Sequence, residues 1–440
     1  MQRVAASTAV TWEDTPRRAS TAERTAQIAS LTGLRGFASL MVVLVHVSGL
    51  TAYAWFGIPS YGPVSLFVLS GYLLYRPWSR WTLQTADRPS VATFTRRRLA
   101  RIFPAYALVF FSTVVVYPPS RPTTADEWLH MVTLTWIYEQ AHLPTEFVQT
   151  WSLATELSWY VALPVMGGLT ALMVRSRPRR IGFWLAVGMI SLALPISVAW
   201  RIWVSTRDAT NLVPYSLWLP GFLACFAGGA LVAHLAEGYR NGIVSLRWLR
   251  RVVDDRWAPL VFALAFALLG TSALGGPPGF PDTFGQEQVR LVCATLIAVT
   301  LLAVAVLGGP ETPLNRVLST VWATAMGRWS YGIFLWHFPL LVILEDKIDY
   351  PTGVAGFVTR VVLVLGLSVP LAAATYAWVE RPAIIWSQRA RTYVADAETP
   401  QRDRADLTAG CAQPTSATSK MSPQAMAPAP TDGPSVSAGE

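Results

Sequence analysis

A chain of 440 residues that is 52% hydrophobic and only 14% charged, with 19 tryptophans, is not a soluble globular protein. That balance belongs to a polytopic membrane protein. The net charge of +9 does not signal nucleic acid, because the arginines fall in short clusters between apolar runs. Such clusters are the pattern of cytoplasmic loops that face anionic head groups.

Residues 1–30 contain no compact apolar core ending in a small-residue cleavage site. They are predicted to be a flexible cytoplasmic segment, with the first apolar helix acting as an uncleaved signal anchor. Ten apolar segments follow, at 34–54, 59–78, 99–118, 150–173, 181–204, 216–236, 257–275, 287–308, 321–344 and 355–379. Each approaches the roughly 20 residues needed to cross a bilayer as a helix, and the second and seventh are short. The piece "EWLHMVTLTWIY" (127–138) is too short to span and reads as an interfacial or re-entrant helix.

Basic residues alternate between loops. Arg96, Arg97, Arg98 and Arg101 fall in one loop region, Arg175, Arg177, Arg179 and Arg180 in another, and Arg247, Arg250 and Arg251 in a third. Loops 52–60 and 275–286 have none. The expectation is an all-α polytopic membrane protein of about ten transmembrane helices, both termini cytoplasmic, in the inner (plasma) membrane. The membrane domain is expected over 31–386, and the Ala-, Pro-, Ser- and Thr-rich stretch 387–440 as a disordered cytoplasmic tail. Of 35 basic residues only Lys347 and Lys420 are lysine, a bias of GC-rich bacterial genomes. Cys225, Cys293 and Cys411 show neither metal spacing nor a disulfide framework.

Ionisable residues inside apolar helices are costly and by default functional candidates. In "LRGFASLMVVLVHVS", Arg35 and His46 are eleven residues apart. Eleven steps of about 100° bring both to one helix face, about 16 Å apart along the axis. A permanent cation at the inner surface suits a phosphate-bearing donor, and a deep imidazole suits proton abstraction from a hydroxyl. Against this, Arg35 alone would serve as an ordinary membrane anchor and His46 as a packing residue. "SLFVLSGYLLYRPW" places Ser70, Gly71 and Tyr72 near mid-membrane, where glycine lets a backbone or a ligand approach closely. In "RRRLARIFPAY", Arg98 and Arg101 share a face and with Arg35 would form a basic pocket for a pyrophosphate.

Glu156, in "TWSLATELSWYVALP", is an intramembrane carboxylate flanked by aromatics. "GRWSYGIFLWHFPLL" carries Tyr331 and His337. Counted from the cytoplasmic end, His46, Glu156 and His337 reach the same depth, which predicts one outward-biased polar cavity. His130, His142 and His234 read as interfacial.

Taken in order, these stretches and the closing "YAWVERPA" (376–383) resemble the acyltransferase-3 family of integral-membrane O-acyltransferases, over about residues 30–386. The resemblance implies transfer of an acyl group, most often acetyl from acetyl-CoA, out of cytoplasmic acyl-CoA onto a hydroxyl of a sugar, glycolipid, cell-wall polymer or antibiotic. The family's motifs fall on Arg35 and His46, on Ser70, Gly71 and Tyr72, on Arg98 and Arg101, on Glu156, and on Tyr331 and His337. One departure is that Leu157 and Ser158 follow the acid, where the family usually has Glu or Gln.

On this reading Arg35, Arg98 and Arg101, with Ser70, Gly71 and Tyr72, bind the donor. His46 acts as general base or as the acyl-carrying nucleophile. Glu156 orients the imidazole or the acceptor, and Tyr331 or His337 stabilises the oxyanion. No metal and no tightly bound cofactor are expected. The partners are acyl-CoA as co-substrate, a cell-envelope carbohydrate or glycolipid acceptor and the lipid bilayer, with no nucleic acid. The alternatives are O-acylation of a secondary metabolite such as a macrolide, or a proton-coupled exporter of a glycolipid or drug.

Overall fold

The computed structural model describes residues 21–51, 61–138, 144–207, 215–277 and 283–388. His142, the 52–60 loop, Cys411 and residues 389–440 of the tail predicted to be disordered lie outside the described residues. Among the described residues there is no β-strand. Fourteen α-helices are described: α1 (Thr21–Gly49), α2 (Tyr61–Thr82), α3 (Val91–Val116), α4 (Ala125–Thr133), α5 (Trp151–Val174), α6 (Arg179–Ser191) and α7 (Ala193–Ser205), then α8 (Leu219–Arg240), α9 (Arg247–Asp254), α10 (Ala258–Gly270), α11 (Phe284–Leu307), α12 (Pro313–Leu318), α13 (Val321–Lys347) and α14 (Gly353–Thr375).

Their ends are written in the sequence. Ser90 caps α3 through the backbone N–H of Thr93. Thr124 with Glu127 and Thr283 with Gln286 form reciprocal capping boxes at α4 and α11. The surface is apolar where a soluble protein would be polar: Val115 and Val116 are 70% and 72% exposed, Leu172 75% and Leu268 62%. Lipid is the solvent that makes such a surface inexpensive. The chain is an all-α polytopic membrane protein.

Seven of the described helical stretches are long and apolar enough to cross a membrane by length and composition. All ten predicted segments overlap a helix, and 181–204 is split into α6 and α7. The counts differ for physical reasons. Helix α10 has 13 residues, well short of the roughly 20 a span requires. Helices α2 and α13 have the length, 22 and 27 residues, but carry polar and charged groups that lower their hydropathy. The 127–138 piece is a nine-residue helix followed by a single turn of tighter helix at Trp136–Tyr138.

Two close helix pairs frame the interior. In the first, α1 crosses α13 at Gly36 and Gly327, while Gly33 closes on Leu318 at the end of α12; a Cβ on Gly327 would lie 1.8 Å from the Thr32 carbonyl oxygen. In the second, α2 crosses α8 at Gly71 and Gly229, where added Cβ atoms would meet the Phe226 and Val68 carbonyl oxygens at 2.0 and 1.8 Å. Only glycine permits backbones to touch in this way. Helix α8 runs through the middle of the bundle, two-thirds of its apolar stretch buried.

Candidate active site

Helices α1, α2, α3, α5 and α13 enclose a cavity of about 90 Å³. That is room for roughly half a dozen waters. Its polar lining includes Arg35, Ser70, Arg98, Arg101, Glu156 and Tyr331. Six of the ten residues singled out in the sequence therefore meet at one place.

Glu156 organises its centre. The Ser70 hydroxyl donates to its Oε1, and the Tyr160 hydroxyl donates to the same oxygen at 3.0 Å. Both bonds use that oxygen as the acceptor. Around it stand the three guanidinium groups, so the cavity lining sums to three positive charges against one negative. Arg98 Nε is buried without a hydrogen-bond partner among the described residues, and its guanidinium lies 6.0 Å from the Phe94 ring. The Tyr331 hydroxyl donates to the Ile102 carbonyl at 2.8 Å, so its proton is already committed.

His46 and His337 are elsewhere. They face each other from α1 and α13, with His337 Nε2 3.1 Å from His46 Nδ1 and ring centroids 5.1 Å apart. Neither lines the cavity. The single polar cavity holding both histidines and Glu156 is thus replaced by two clusters. Equal depth along three helices does not fix the direction each side chain takes around its own axis. Glu156 lies on the face of α5 that meets Ser70 of α2, away from the histidines. Phe334 joins the clusters: it lines the cavity, and its ring centroid is 6.0 Å from that of His337.

Gly71 and Tyr72 do not face the cavity. Gly71 closes on Phe226 at the α2–α8 crossing, and Tyr72 is fully buried. The close approach allowed by that glycine is made by a helix backbone and not by a ligand. His234 is not interfacial either. It is fully buried in the central α8, bonded through Nδ1 to the Ser79 hydroxyl at 2.9 Å and stacked on Phe183. Ser158, one of the two departures after the acid, is tied to the Ala154 carbonyl and to the Tyr138 hydroxyl. Cys225 and Cys293 are buried free thiols.

One residue was overlooked in the sequence. Where α14 ends, the helix widens into a π-helical turn, Tyr376–Glu380. Glu380 is 3% exposed, and its Oε1 has no hydrogen-bond partner among the described residues. It lies within electrostatic reach of Arg101 and Arg35, behind the cavity wall. The rule that singled out Glu156, an acid in an apolar helix, applies equally to "YAWVERPA", and π-helical turns recur at functional sites.

A family model described as an acyltransferase domain, that of acyltransferase-3, matches residues 28–377. The chain belongs to this family. It is a membrane-embedded acyltransferase. It is 28% identical to acyltransferase MdmB of Streptomyces mycarofaciens over 338 residues, covering 72% of this chain and 80% of that one. It is 23% identical to O-acetyltransferase OatA of Staphylococcus aureus over 381 residues, covering 80% of this chain and 56% of that one. YrhL of Bacillus subtilis, named as a candidate peptidoglycan O-acetyltransferase, is 24% identical over 375 residues, 81% of this chain and 54% of its own. The chain spans about half the length of these last two. No solved structure matches.

Proposed function

We propose that this acyltransferase moves an acyl group, acetyl above all, from cytoplasmic acyl-CoA in the inner membrane to a hydroxyl of a cell-envelope carbohydrate or glycolipid. The observation that carries the reading is the cavity itself. Three arginines and one carboxylate converge in it, and Phe334 of its lining packs near His337 of the histidine pair. Arg35, Arg98 and Arg101 offer fork-shaped donors to the phosphates of the donor, the geometry guanidinium groups serve best. Glu156 fixes Ser70 and Tyr160 and keeps the arginine cluster from repelling itself.

The pantetheine arm then extends past Phe334 towards His46. His46 takes the proton of the acceptor hydroxyl as that oxygen attacks the thioester carbonyl. The C–S bond breaks, and coenzyme A leaves as a thiolate that recovers the proton from the imidazole. In the two-step variant the imidazole itself carries the acyl group between donor and acceptor. An envelope acceptor is supported by the likeness to OatA and YrhL. Likeness to MdmB keeps a secondary metabolite such as a macrolide as the second reading of the acceptor.

Purified protein in nanodiscs should release coenzyme A from acetyl-CoA and pass labelled acetyl to a saccharide or glycolipid acceptor without any ion gradient. Transport of a glycolipid or drug that requires a proton gradient, with no acyl transfer, would overturn the reading. A deletion strain should lack one O-acyl group on its envelope polymers, and loss from a small secreted metabolite instead would select the second acceptor.

A further inference from the structure

The two histidines are unequal, and their hydrogen bonds say how. His337 is fully buried, whereas His46 is half-buried and keeps part of its surface accessible. His337 Nδ1 lies 3.1 Å from the carbonyl oxygen of Ile333, one turn back on α13. A carbonyl only accepts, so Nδ1 of His337 carries the hydrogen. In a neutral imidazole the other nitrogen is then a bare acceptor. That nitrogen, Nε2, is the atom 3.1 Å from Nδ1 of His46. The bond between the rings exists only if His46 Nδ1 carries a hydrogen and donates it. His46 Nε2 is left with its lone pair.

Resting on the acyl-transfer reading, we infer that His337 is a positioning residue that sets the tautomer of His46, making Nε2 the nitrogen that meets the acceptor hydroxyl or the acyl carbon. The chain of bonds runs one way, from His46 Nδ1–H to His337 Nε2 and from His337 Nδ1–H to the Ile333 carbonyl. Phe338 packs edge-on against the His46 ring at 4.8 Å and 81°, closing another side of it. The backbone carbonyl does here what a carboxylate does in a hydrolase triad: it anchors one nitrogen so that the other is presented. With both its nitrogens engaged, His337 has no hydrogen left to offer an oxyanion, which removes that role from it.

The test separates positioning from packing. Glutamine can bring a side-chain oxygen to where Nε2 of His337 stands, so His337→Gln keeps an acceptor for His46. His337→Leu has similar bulk and no acceptor. Without that acceptor the His46 ring keeps only its backbone hydrogen bond to Val42, and the correct tautomer is held less firmly. The Leu variant should therefore lose kcat by roughly 10- to 100-fold with KM for acetyl-CoA unchanged, and the Gln variant should recover most of it. Nitrogen-15 NMR of histidine-labelled protein, with His46→Gln for assignment, should show the proton of His46 on Nδ1 in the wild type and a mixture of tautomers in His337→Leu.

A proton on Nε2 of wild-type His46, or equal kcat in His337→Leu and the wild type, overturns the inference. The NMR result does not depend on turnover. Failure of acyl transfer by the wild type would sink the enzymatic reading alone.

Discussion

Two of the arginine–glutamate clusters in this bundle differ in how fully they are satisfied. In one, Glu237 of α8 accepts from Arg76 at 2.6 Å and from Arg240 at 2.9 Å through a single oxygen. Arg240 continues to Gln27 at 3.2 Å, and Gln27 to the Val306 carbonyl, so four helices are tied by one network. In the other, Glu156 accepts only hydroxyls, and the cations around it keep donors unspent, Arg98 Nε among them. Buried polar groups left without partners are costly and are retained where a ligand supplies the missing bonds. The same residue types thus make a clasp in one place and, on the proposed reading, a receptor in the other.

The largest effect should come from the residue the receptor serves. His46→Gln cannot take a proton, and acyl transfer should fall by about 10²–10⁴, the usual contribution of a general base. Acetyl-CoA binding by the same protein, measured by calorimetry, should be nearly unchanged. Full transfer by folded His46→Gln would remove histidine from the chemistry altogether.

Next is the cavity. Arg98→Ala with Arg101→Ala should raise KM for acetyl-CoA on the order of 10- to 100-fold, as expected for lost charge-assisted bonds to phosphate. The thermal midpoint should hardly move, because the cavity arginines clasp little. A large drop in midpoint with KM unaltered would make this cluster structural.

The clasp should answer in the opposite sense. Glu237→Gln leaves Arg76 and Arg240 without their counter-charge. The cost should be about 1–2 kcal/mol, small for a buried acid because the Arg76 side chain is 42% exposed and screened. Turnover per folded molecule should stay the same, and a change in KM for acetyl-CoA would merge the two clusters into one functional unit. Smallest of all is Glu380→Gln, which removes a negative charge from behind Arg101 and Arg35. Affinity for coenzyme A should rise by a few-fold, and a fall would mean that this carboxylate holds the arginines in place.

Much of this arrangement was legible in the sequence because membrane physics is restrictive. Apolar length gave the helices, and the cost of charge in lipid gave Arg35, His46 and Glu156 as residues of interest. Periodicity along one helix also held locally, since Arg98 and Arg101 do share a cavity wall. What sequence did not carry is the rotation of each helix against its neighbours. For that reason depth alone groups His46, Glu156 and His337 in one cavity, whereas only the two histidines meet. Gly71 was open to two readings, a helix neighbour or a ligand, and only the position of α8 chooses between them. Glu380 was visible but unremarked, hidden at the end of a motif that otherwise reads as a helix terminus.

The glycine crossings have a mechanical consequence. Arg35, His46, Tyr331 and His337 all ride on α1 and α13, whose backbones touch at Gly36 and Gly327. Ser70 rides on α2, which is fused to α8 at Gly71 and Gly229 in the same manner. Backbones in such contact slide and bend as units, so each pair behaves as a stiff beam. The cavity lies on the joint between the beams, so a donor seated there would act on both and widen it where they yield. Any such widening parts Arg35 from Ser70, yet the hydrogen bond between the histidines, carried wholly on one beam, travels undisturbed. On the proposed reading the site yields to its donor at the joint while the bond that orients His46 stays set.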